Sequence, residues 1–252
     1  MRVLVFTDEY DFSYFTFIYN EIKKLEEAGV EVFVVCERIG KLRGSDSNYS
    51  LIPLPENRLL RNIYLAANRR GLFFISSLYG YFRKRRQIIK DFKPDIVHMH
   101  FGDTAIRIFF PLKKSLKNIP FAVTFHGFDA SSLLSRPHYL DSLKELIIQP
   151  NFFGICVSQH LKNNLLERGL PINDQNSSIL YYGIDADTFH RTQWSNNKVR
   201  IFLQISGFYE KKGHIYTLQA FKKFLERNKG AARLIIGGDG PLREDIMKAC
   251  KV

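Results

Sequence analysis

The stretch Phe121-Ala122-Val123-Thr124-Phe125-His126-Gly127-Phe128-Asp129 decides how this chain folds. Its first five residues are apolar or β-branched, which predicts a buried strand, and the glycine and polar residues behind them predict a loop. In an open parallel sheet such a loop lies at the carboxyl edge, where ligands bind. We therefore expect His126 and Asp129 at a ligand-binding edge, with the alternative that Asp129 caps a helix beginning near Ala130.

The same alternation of strand and helix extends on both sides of that stretch. Strands are predicted at Val3–Phe6, Val30–Val35, Asp95–His98, Phe121–Phe125, Phe153–Val157 and Ser178–Tyr182. Helices are predicted at Phe17–Ala28, Thr104–Leu116, Tyr139–Ile148 and from a cap at Ser158 to Glu167. Repeated strand–helix–strand units predict an α/β fold with a complete Rossmann-like domain over residues 1–186.

A polar segment over residues 187–198 predicts a linker, and a second alternation follows it over residues 199–252. Strands are predicted at Val199–Ile205 and Ala232–Ile236, and helices at His214–Arg227 and from Pro241. Two strands and two helices are marginal for an independent core. We therefore expect this part to be an incomplete second Rossmann-like domain, with the chain truncated at its C-terminal end.

Both predicted strands of the second segment open into glycine loops. The first loop contains Gly207, Lys212 and Gly213 before a helix, and the second contains Gly238 and Gly240. Glycines let backbone N–H groups approach an anion, a helix N-terminus adds partial positive charge, and a lysine adds a full charge. This pattern favours a diphosphate ligand, although tight turns without a ligand have the same composition.

The net charge of +12 is concentrated in residues 57–90, which contain no acidic residue. The basic residues there are Arg58, Arg61, Arg69, Arg70, Arg83, Lys84, Arg85, Arg86 and Lys90, and apolar residues lie between them. This combination suits an anionic membrane surface, and Arg83, Lys84, Arg85 and Arg86 are its densest run. The alternative is two amphipathic helices whose basic faces are solvated. No nucleic-acid-binding module is recognisable, so nucleic acid is not an expected partner.

Other features of the sequence exclude several classes of function. No secretory signal and no apolar run of about 20 residues is present, which predicts a cytoplasmic location, peripheral on the inner face of the membrane. His98 and His100 have strand spacing and would point the same way, but no carboxylate or cysteine cluster completes a ligand set in the sequence. We therefore expect neither a metal nor another cofactor.

In order and spacing these motifs resemble the retaining glycosyltransferases of the GT-B fold, in the family 4-like group that builds polysaccharides and glycolipids. Further strings typical of that group are Pro94–Gly102, Val157–Gln159 and Gly183–Asp185. The resemblance implies transfer of a sugar from a nucleotide-sugar donor to a lipid-linked or saccharide acceptor. A non-catalytic acceptor- or membrane-binding module and an enzyme like the UDP-GlcNAc 2-epimerases remain as alternatives.

The resemblance also implies roles for individual residues. His126 would lie beside the transferred sugar. Independently of the resemblance, the carboxylate of Asp129 could accept a proton from an acceptor hydroxyl, the alternative being the helix cap near Ala130. Lys212, Gly213 and the amides near Gly207 would hold the donor diphosphate, with Gly238 near the nucleotide. A loop over residues 8–13, with Asp8, Phe12 and Ser13, would face the acceptor.

This sequence departs from the pattern of that group in three places. Phe208 stands where an arginine is usual, and Tyr182 stands where an asparagine is usual. The paired-glutamate segment expected beyond Gly240 is not in these 252 residues. That segment would hold the ribose and the sugar hydroxyls of the donor.

Overall fold

A computed structural model of the chain describes residues 1–11, 16–40, 48–53, 57–69, 81–190, 199–228 and 231–250. The chain divides into two compact units, Met1–Gly183 and Ile184–Val252. The division falls close to residue 186, where the sequence predicts the end of the first domain. Residues 191–198 of the predicted linker lie outside the described residues.

The first unit is built on a parallel sheet. Its strands are β1 (Arg2–Tyr10), β2 (Glu31–Ile39), β3 (Asn48–Leu51), β4 (Ile96–His100), β5 (Phe121–Phe125), β6 (Phe152–Cys156) and β7 (Ser177–Ile179). Its described α-helices are α1 (Thr16–Glu27), α2 (Arg58–Arg69), α3 (Tyr81–Phe92), α4 (Gly102–Leu116), α5 (Pro137–Ile147) and α6 (Gln159–Glu167). The strand order is β3-β2-β1-β4-β5-β6-β7, and every neighbouring pair is parallel. The predicted α/β class is therefore confirmed.

The central strands are apolar because helices cover both faces of the sheet. Leu4 and Phe6 of β1 point into the larger core cluster with α4, whereas Val3 and Val5 point into a smaller cluster with Ile22 of α1. Alternate side chains of β1 thus pack into the two clusters on opposite faces of the sheet. This burial holds β1, β4 and β5 at the centre and positions their carboxyl ends side by side.

Several strands of the first unit differ from the sequence-based prediction. Strand β2 continues to Ile39 and not only to Val35, and β7 ends at Ile179 and not at Tyr182. Strand β1 continues to Tyr10, so Asp8 lies in a strand and not in the predicted loop over residues 8–13. The extension is stable because Glu9 and Tyr10 of β1 pair with β2. Strand β3 was not predicted, since its sequence Asn48-Tyr49-Ser50-Leu51 is short and mostly polar. Phe12 and Ser13 lie outside the described residues.

The second unit contains the predicted elements with small changes at their ends. They are β8 (Arg200–Ile205), α7 (His214–Arg227), β9 (Ala232–Gly237) and α8 (Arg243–Ala249). A short 3-10 helix, Glu210–Lys212, precedes α7. Strands β8 and β9 pair in parallel from Arg200 with Ala232 to Ile205 with Gly237. Both glycine loops therefore leave the same edge of this two-stranded sheet.

Candidate functional site

His126 lies at the carboxyl end of β5 and is surrounded by aromatic rings. The ring centroids of Phe101 and Phe17 lie 4.2 Å and 5.0 Å from that of His126. The ring of Tyr182 is stacked parallel to it, with centroids 5.8 Å apart, and the Tyr182 hydroxyl is hydrogen-bonded to His126 Nδ1. These contacts hold the imidazole in one orientation at the edge where the sequence predicts a ligand.

Asp129 organises the loop that carries His126. Its carboxylate is fully buried and accepts the backbone N–H groups of His126 and Gly127 at 3.0 Å and 2.9 Å. It also accepts the N–H of Gly102, the first residue of α4, at 2.9 Å. Burial raises the pKa of Asp129, while the three N–H donors act in the opposite direction.

These contacts change the role predicted for Asp129. A carboxylate that is fully buried and holds three backbone donors is not placed to take a proton from an acceptor hydroxyl. Asp129 does cap a helix, but the helix is α4 and not one beginning near Ala130, since Asp129 itself lies inside a 3-10 helix over Phe128–Ala130. Asp129 is therefore a positioning residue.

A row of three histidines extends from His126 into the sheet. His126 Nε2 lies 3.2 Å from Nδ1 of His100, whose ring centroid lies 4.4 Å from that of His98. Burial lowers the pKa of His126 to about 3 and that of His98 to about 4, and it also lowers the pKa of His100. All three rings are therefore neutral at pH 7, so each has one N–H donor and one acceptor nitrogen.

Glu21 of α1 reaches this row from the side. Its Oε1 lies 3.3 Å from Nδ1 of His98, and burial raises the pKa of Glu21 to about 7. Glu21 follows Phe17 by four positions, so the two side chains share one face of α1 and both contact the histidine row. The expectation of no metal site rested on the lack of a carboxylate near His98 and His100. In the structure, the carboxylate of Glu21 lies beside both histidines.

Asp8, predicted to face an acceptor, is bound within a network of charged groups. Arg107 of α4 pairs with Asp8 and, at 2.9 Å, with Glu37 of β2. The hydroxyl of Thr104 donates to Asp8 at 2.9 Å. Asp8 thus belongs to a network that joins β1, β2 and α4, and it remains partly exposed.

The basic helices divide into exposed and buried positions. Arg83, Lys84 and Arg86 of α3 are exposed. Arg85 is 2% exposed and pairs with Glu37 at 3.4 Å, so its prediction as a membrane-surface residue is wrong. Arg85 lies on the buried side of α3, which also carries the core residues Phe82, Ile89 and Phe92.

Helix α2 presents apolar side chains outward. Leu59, Leu60 and Ile63 are 67%, 38% and 41% exposed, and they stand beside exposed Arg58 and Arg61. Among the described helices, none has the length and apolar character needed to cross a bilayer.

In the second unit the two glycine loops pack directly on each other. Phe208 N–H donates to the Asp239 carbonyl at 2.8 Å, and the Phe208 side chain is buried. Gly238 has a φ of +152°, and a Cβ placed there would lie 2.0 Å from the Ser206 carbonyl oxygen. Only glycine fits at this position, so the close approach of the two loops explains Gly238.

Lys212 and Gly213 stand at the start of α7. Lys212 is exposed at the end of the 3-10 helix, and Gly213 adopts a left-handed φ of +68° that redirects the chain into α7. The buried ring of His214 contacts Ser206 Oγ through Nε2 at 3.0 Å. Gly207, Lys212, Gly213 and Gly238 therefore lie at one edge of the β8–β9 sheet, beside the N-terminus of α7 and the exposed ammonium group of Lys212.

Sequence reasoning missed part of the first-unit site. The His98-x-His100 spacing and the unusual Tyr182 were both visible, but nothing in the sequence placed Tyr182 on His126. Glu21 was missed because its partner lies on a strand far along the chain. Its four-residue spacing from Phe17 is the signal that identifies the inward face of α1.

Comparison with solved structures identifies the fold. A lipopolysaccharide outer core galactosyltransferase, WaaB in its apo form, matches at a TM-score of 0.62 with 19% identity, over 100% of this chain and 64% of that chain. Anabaena HepE in complex with UDP matches at 0.67 with 11% identity, over 100% and 65%. A UDP-N-acetylglucosamine 2-epimerase matches at 0.55 with 12% identity, over 100% and 67%. The chain thus spans about two thirds of the length of these GT-B-type structures.

Comparison of the sequence with protein families assigns the chain. No curated protein matches it significantly. The model of the family described as Glycosyltransferase Family 4 matches residues 15–188, which is most of the chain and includes His126, Asp129 and Tyr182. With its parallel α/β sheet and the match to GT-B structures, the chain belongs to glycosyltransferase family 4.

Proposed function

We propose that this protein is a retaining glycosyltransferase that moves a sugar from a nucleotide-sugar donor to a lipid-linked or saccharide acceptor in cell-surface polysaccharide synthesis. The observation that carries the proposal is the placement of His126 in a family 4 chain. Its imidazole stands at the carboxyl end of β5, and Asp129 holds its loop through backbone N–H groups. Because the chain spans about two thirds of the matched structures, the proposal concerns the activity of the whole protein.

The loops of the second unit are proposed to bind the donor. Backbone N–H groups near Gly207 and at the start of α7, together with the Lys212 ammonium, would neutralise a diphosphate. The tight packing around Gly238 leaves this turn without side-chain bulk, which suits close approach of a nucleotide. The HepE structure, which contains UDP, supports a nucleoside diphosphate as the ligand class.

His126 is proposed to act on the transferred sugar or the leaving group. A neutral imidazole offers one donor and one acceptor nitrogen, and it hydrogen-bonds a sugar hydroxyl without adding charge. In this account the donor phosphate assists the incoming acceptor hydroxyl on the same face of the sugar. Transfer then needs no protein nucleophile and no metal ion at the diphosphate.

The position of the aromatic residue Tyr182 adds a constraint on this proposal. Its hydroxyl is bonded to His126 Nδ1 and its ring covers one face of the imidazole. A sugar that uses this nitrogen must therefore displace the Tyr182 hydroxyl. Tyr182 is 44% exposed, and this exposure favours such a movement.

Membrane association is proposed through the basic helices. Exposed Arg83, Lys84 and Arg86 supply charge, and the outward apolar side chains of α2 supply surface that can enter the headgroup region. This arrangement suits an acceptor anchored in a membrane at the cytoplasmic side. A non-catalytic membrane-binding module would share this surface but would not turn over a donor.

Calorimetric titration with UDP tests the donor site. We expect UDP to bind the natively expressed protein, and Lys212→Gln to weaken binding about 10–100-fold because a charge-assisted bond to phosphate is lost. Lys222→Gln is the matched control, since Lys222 is an exposed lysine farther along α7. Equal affinity of wild type and Lys212→Gln would contradict the proposed role of Lys212.

A further inference from the structure

Glu21, His98 and His100 form a cluster that has the composition of a metal site. One ligand atom from each residue lies within 4.8 Å of one from each of the others. The closest pair, His98 Nδ1 and Glu21 Oε1, is separated by 3.3 Å. Two ligands of one tetrahedral zinc ion, at bond lengths of about 2.0–2.1 Å, lie roughly 3.3 Å apart. This pair therefore already has the spacing that one ion requires.

The hydrogen bonds around the two histidines leave one nitrogen of each ring for a ligand. His98 Nε2 lies 2.7 Å from Thr124 Oγ1, and His100 Nδ1 lies 3.2 Å from His126 Nε2. The second nitrogen of His100, Nε2, is buried and has no hydrogen-bond partner in the described part of the chain. Metal-binding histidines typically use one nitrogen for the metal and donate the other N–H to a nearby oxygen or nitrogen acceptor.

A buried polar atom without a partner requires an explanation, because it has given up its hydrogen bonds to water and has gained none in exchange. The His100 ring is fully buried, so bulk water does not satisfy Nε2. A cation between Nε2 of His100, Nδ1 of His98 and the Glu21 carboxylate would satisfy all three groups.

We propose that Glu21, His98 and His100 bind a divalent transition-metal ion, for which Zn²⁺ is the best match. Two imidazoles and one carboxylate form a ligand set that zinc accepts, with a fourth position left open. Mg²⁺ and Ca²⁺ prefer oxygen ligands and are disfavoured here. Glu21 is partly exposed on α1, so its side chain can turn to complete the site.

This ion would have a consequence for His126. Binding through His100 Nε2 places the ring proton of His100 on Nδ1, which then donates to His126 Nε2. The His126 proton must then lie on Nδ1, which faces the Tyr182 hydroxyl. The metal would thus select one tautomer of His126 and orient it through His100, without touching a substrate.

Metal titration of the purified protein tests this site without an activity assay. The protein is stripped with a chelator, and Zn²⁺ is then added in competition with a chromophoric chelator. We expect one tight site per chain, and Co²⁺ in the same site is expected to give the visible absorption of a tetrahedral complex. Glu21→Gln should weaken Zn²⁺ binding about tenfold or more, since a charged ligand is lost.

The controls separate this cluster from surface histidines and from misfolding. His138→Gln removes an exposed histidine on α5 and should leave the tight site unchanged. Glu21→Gln changes a partly exposed position, and an unaltered circular dichroism spectrum verifies its fold. Wild type without a tight site, or Glu21→Gln with wild-type affinity, would overturn the proposal and would leave the Glu21–His98 contact as an ordinary hydrogen bond. Neither result would bear on the donor loops, so UDP binding remains an independent test of the proposed function.

Discussion

The Asp129 carboxylate accepts the backbone N–H of Gly102 at 2.9 Å, and this bond joins the loop after β5 to the first turn of α4. Gly102 is required at this point because a Cβ there would lie 2.4 Å from the Tyr139 hydroxyl. That hydroxyl in turn donates to the Asp129 carbonyl at 2.7 Å. The position of His126 thus depends on groups that never reach a ligand.

Replacing Asp129 should destabilise the first unit. Asp129→Ala removes a fully buried carboxylate and leaves three backbone N–H groups without their acceptor, and we expect a loss of about 3–5 kcal/mol in the free energy of unfolding. Urea unfolding followed by circular dichroism measures it. Asp141→Ala, an exposed acidic residue on α5, is the control and should change stability by about 0.5 kcal/mol or less. A small effect of Asp129→Ala would contradict the role of its carboxylate in holding the loop.

The packing of the glycine loops predicts a contrast between neighbouring glycines. Gly238→Ala places a Cβ against the Ser206 carbonyl at a φ that side chains rarely adopt, so we expect more than about 2 kcal/mol of destabilisation in the second unit. Gly237→Ala meets its nearest atom, in Ile205, at 3.7 Å and should be tolerated. Hydrogen exchange over β8 and β9 distinguishes the two. Equal protection in both variants would show that the loops do not pack closely.

The buried histidines predict a pH dependence of stability with a definite sign. Burial depresses the pKa of His126 from 6.5 to about 3, so below pH 6.5 the unfolded state takes up a proton that the folded state does not. Stability from this residue is therefore present above pH 6.5 and is lost as the pH falls toward 3.

Comparison with a variant separates the contribution of His126 from that of carboxyl groups whose pKa burial raises, such as Glu21 and Asp103. Relative to His126→Gln, the wild type should lose up to about 2 kcal/mol between pH 6.5 and pH 5. Urea unfolding of both proteins at the two pH values measures it. A parallel pH dependence of the two proteins would mean that His126 titrates as an exposed residue.

Membrane binding should depend on the exposed basic residues of α3. The triple replacement of Arg83, Lys84 and Arg86 by glutamine should weaken binding to vesicles containing anionic lipid, because each charge contributes about 1 kcal/mol near the headgroups. The effect should be larger at low salt. Replacing Lys222, Lys223 and Lys248, which are exposed in the second unit, is the charge-matched control. Binding is measured by vesicle sedimentation. Unchanged binding of the α3 variant would rule out this docking surface.

Arg85 requires a separate expectation because it is not on that surface. Its guanidinium is buried beside Glu37, so Arg85→Gln leaves a buried carboxylate with less compensation. We expect Arg85→Gln to lower the free energy of unfolding by about 3 kcal/mol and to leave vesicle affinity unchanged. Thermal unfolding and vesicle sedimentation of the same variant separate the two effects.

Hydrophobic periodicity was sufficient to predict most of the architecture. The strand Phe121–Phe125 and the helix His214–Arg227 have the predicted bounds, and Ser158 caps α6 by accepting the Leu161 N–H. These elements are predictable because local pattern and burial agree. Strand β3 could not be predicted in this way because its sequence is mostly polar. Its conformation depends on pairing with β2.

Only those residues of the candidate site that come directly after a predicted strand in the sequence could be predicted. His126 follows β5, and the edge of a parallel sheet could be inferred from that alone. The contacts of Glu21 with His98, and of Tyr182 with His126, join segments far apart in sequence. The burial of Arg85 was also hidden, since a basic run gives no sign of which member faces the core.

The most direct test of the central claim is mass spectrometry of sugar transfer by the natively expressed protein. It is incubated with a panel of nucleotide sugars and lipid-linked acceptors in anionic vesicles. We predict release of a nucleoside diphosphate together with an acceptor heavier by one sugar, and a decrease of about 100-fold or more with His126→Gln but not with His138→Gln. Conversion of a nucleotide sugar into its epimer without any acceptor, or no reaction with any donor, would contradict the account.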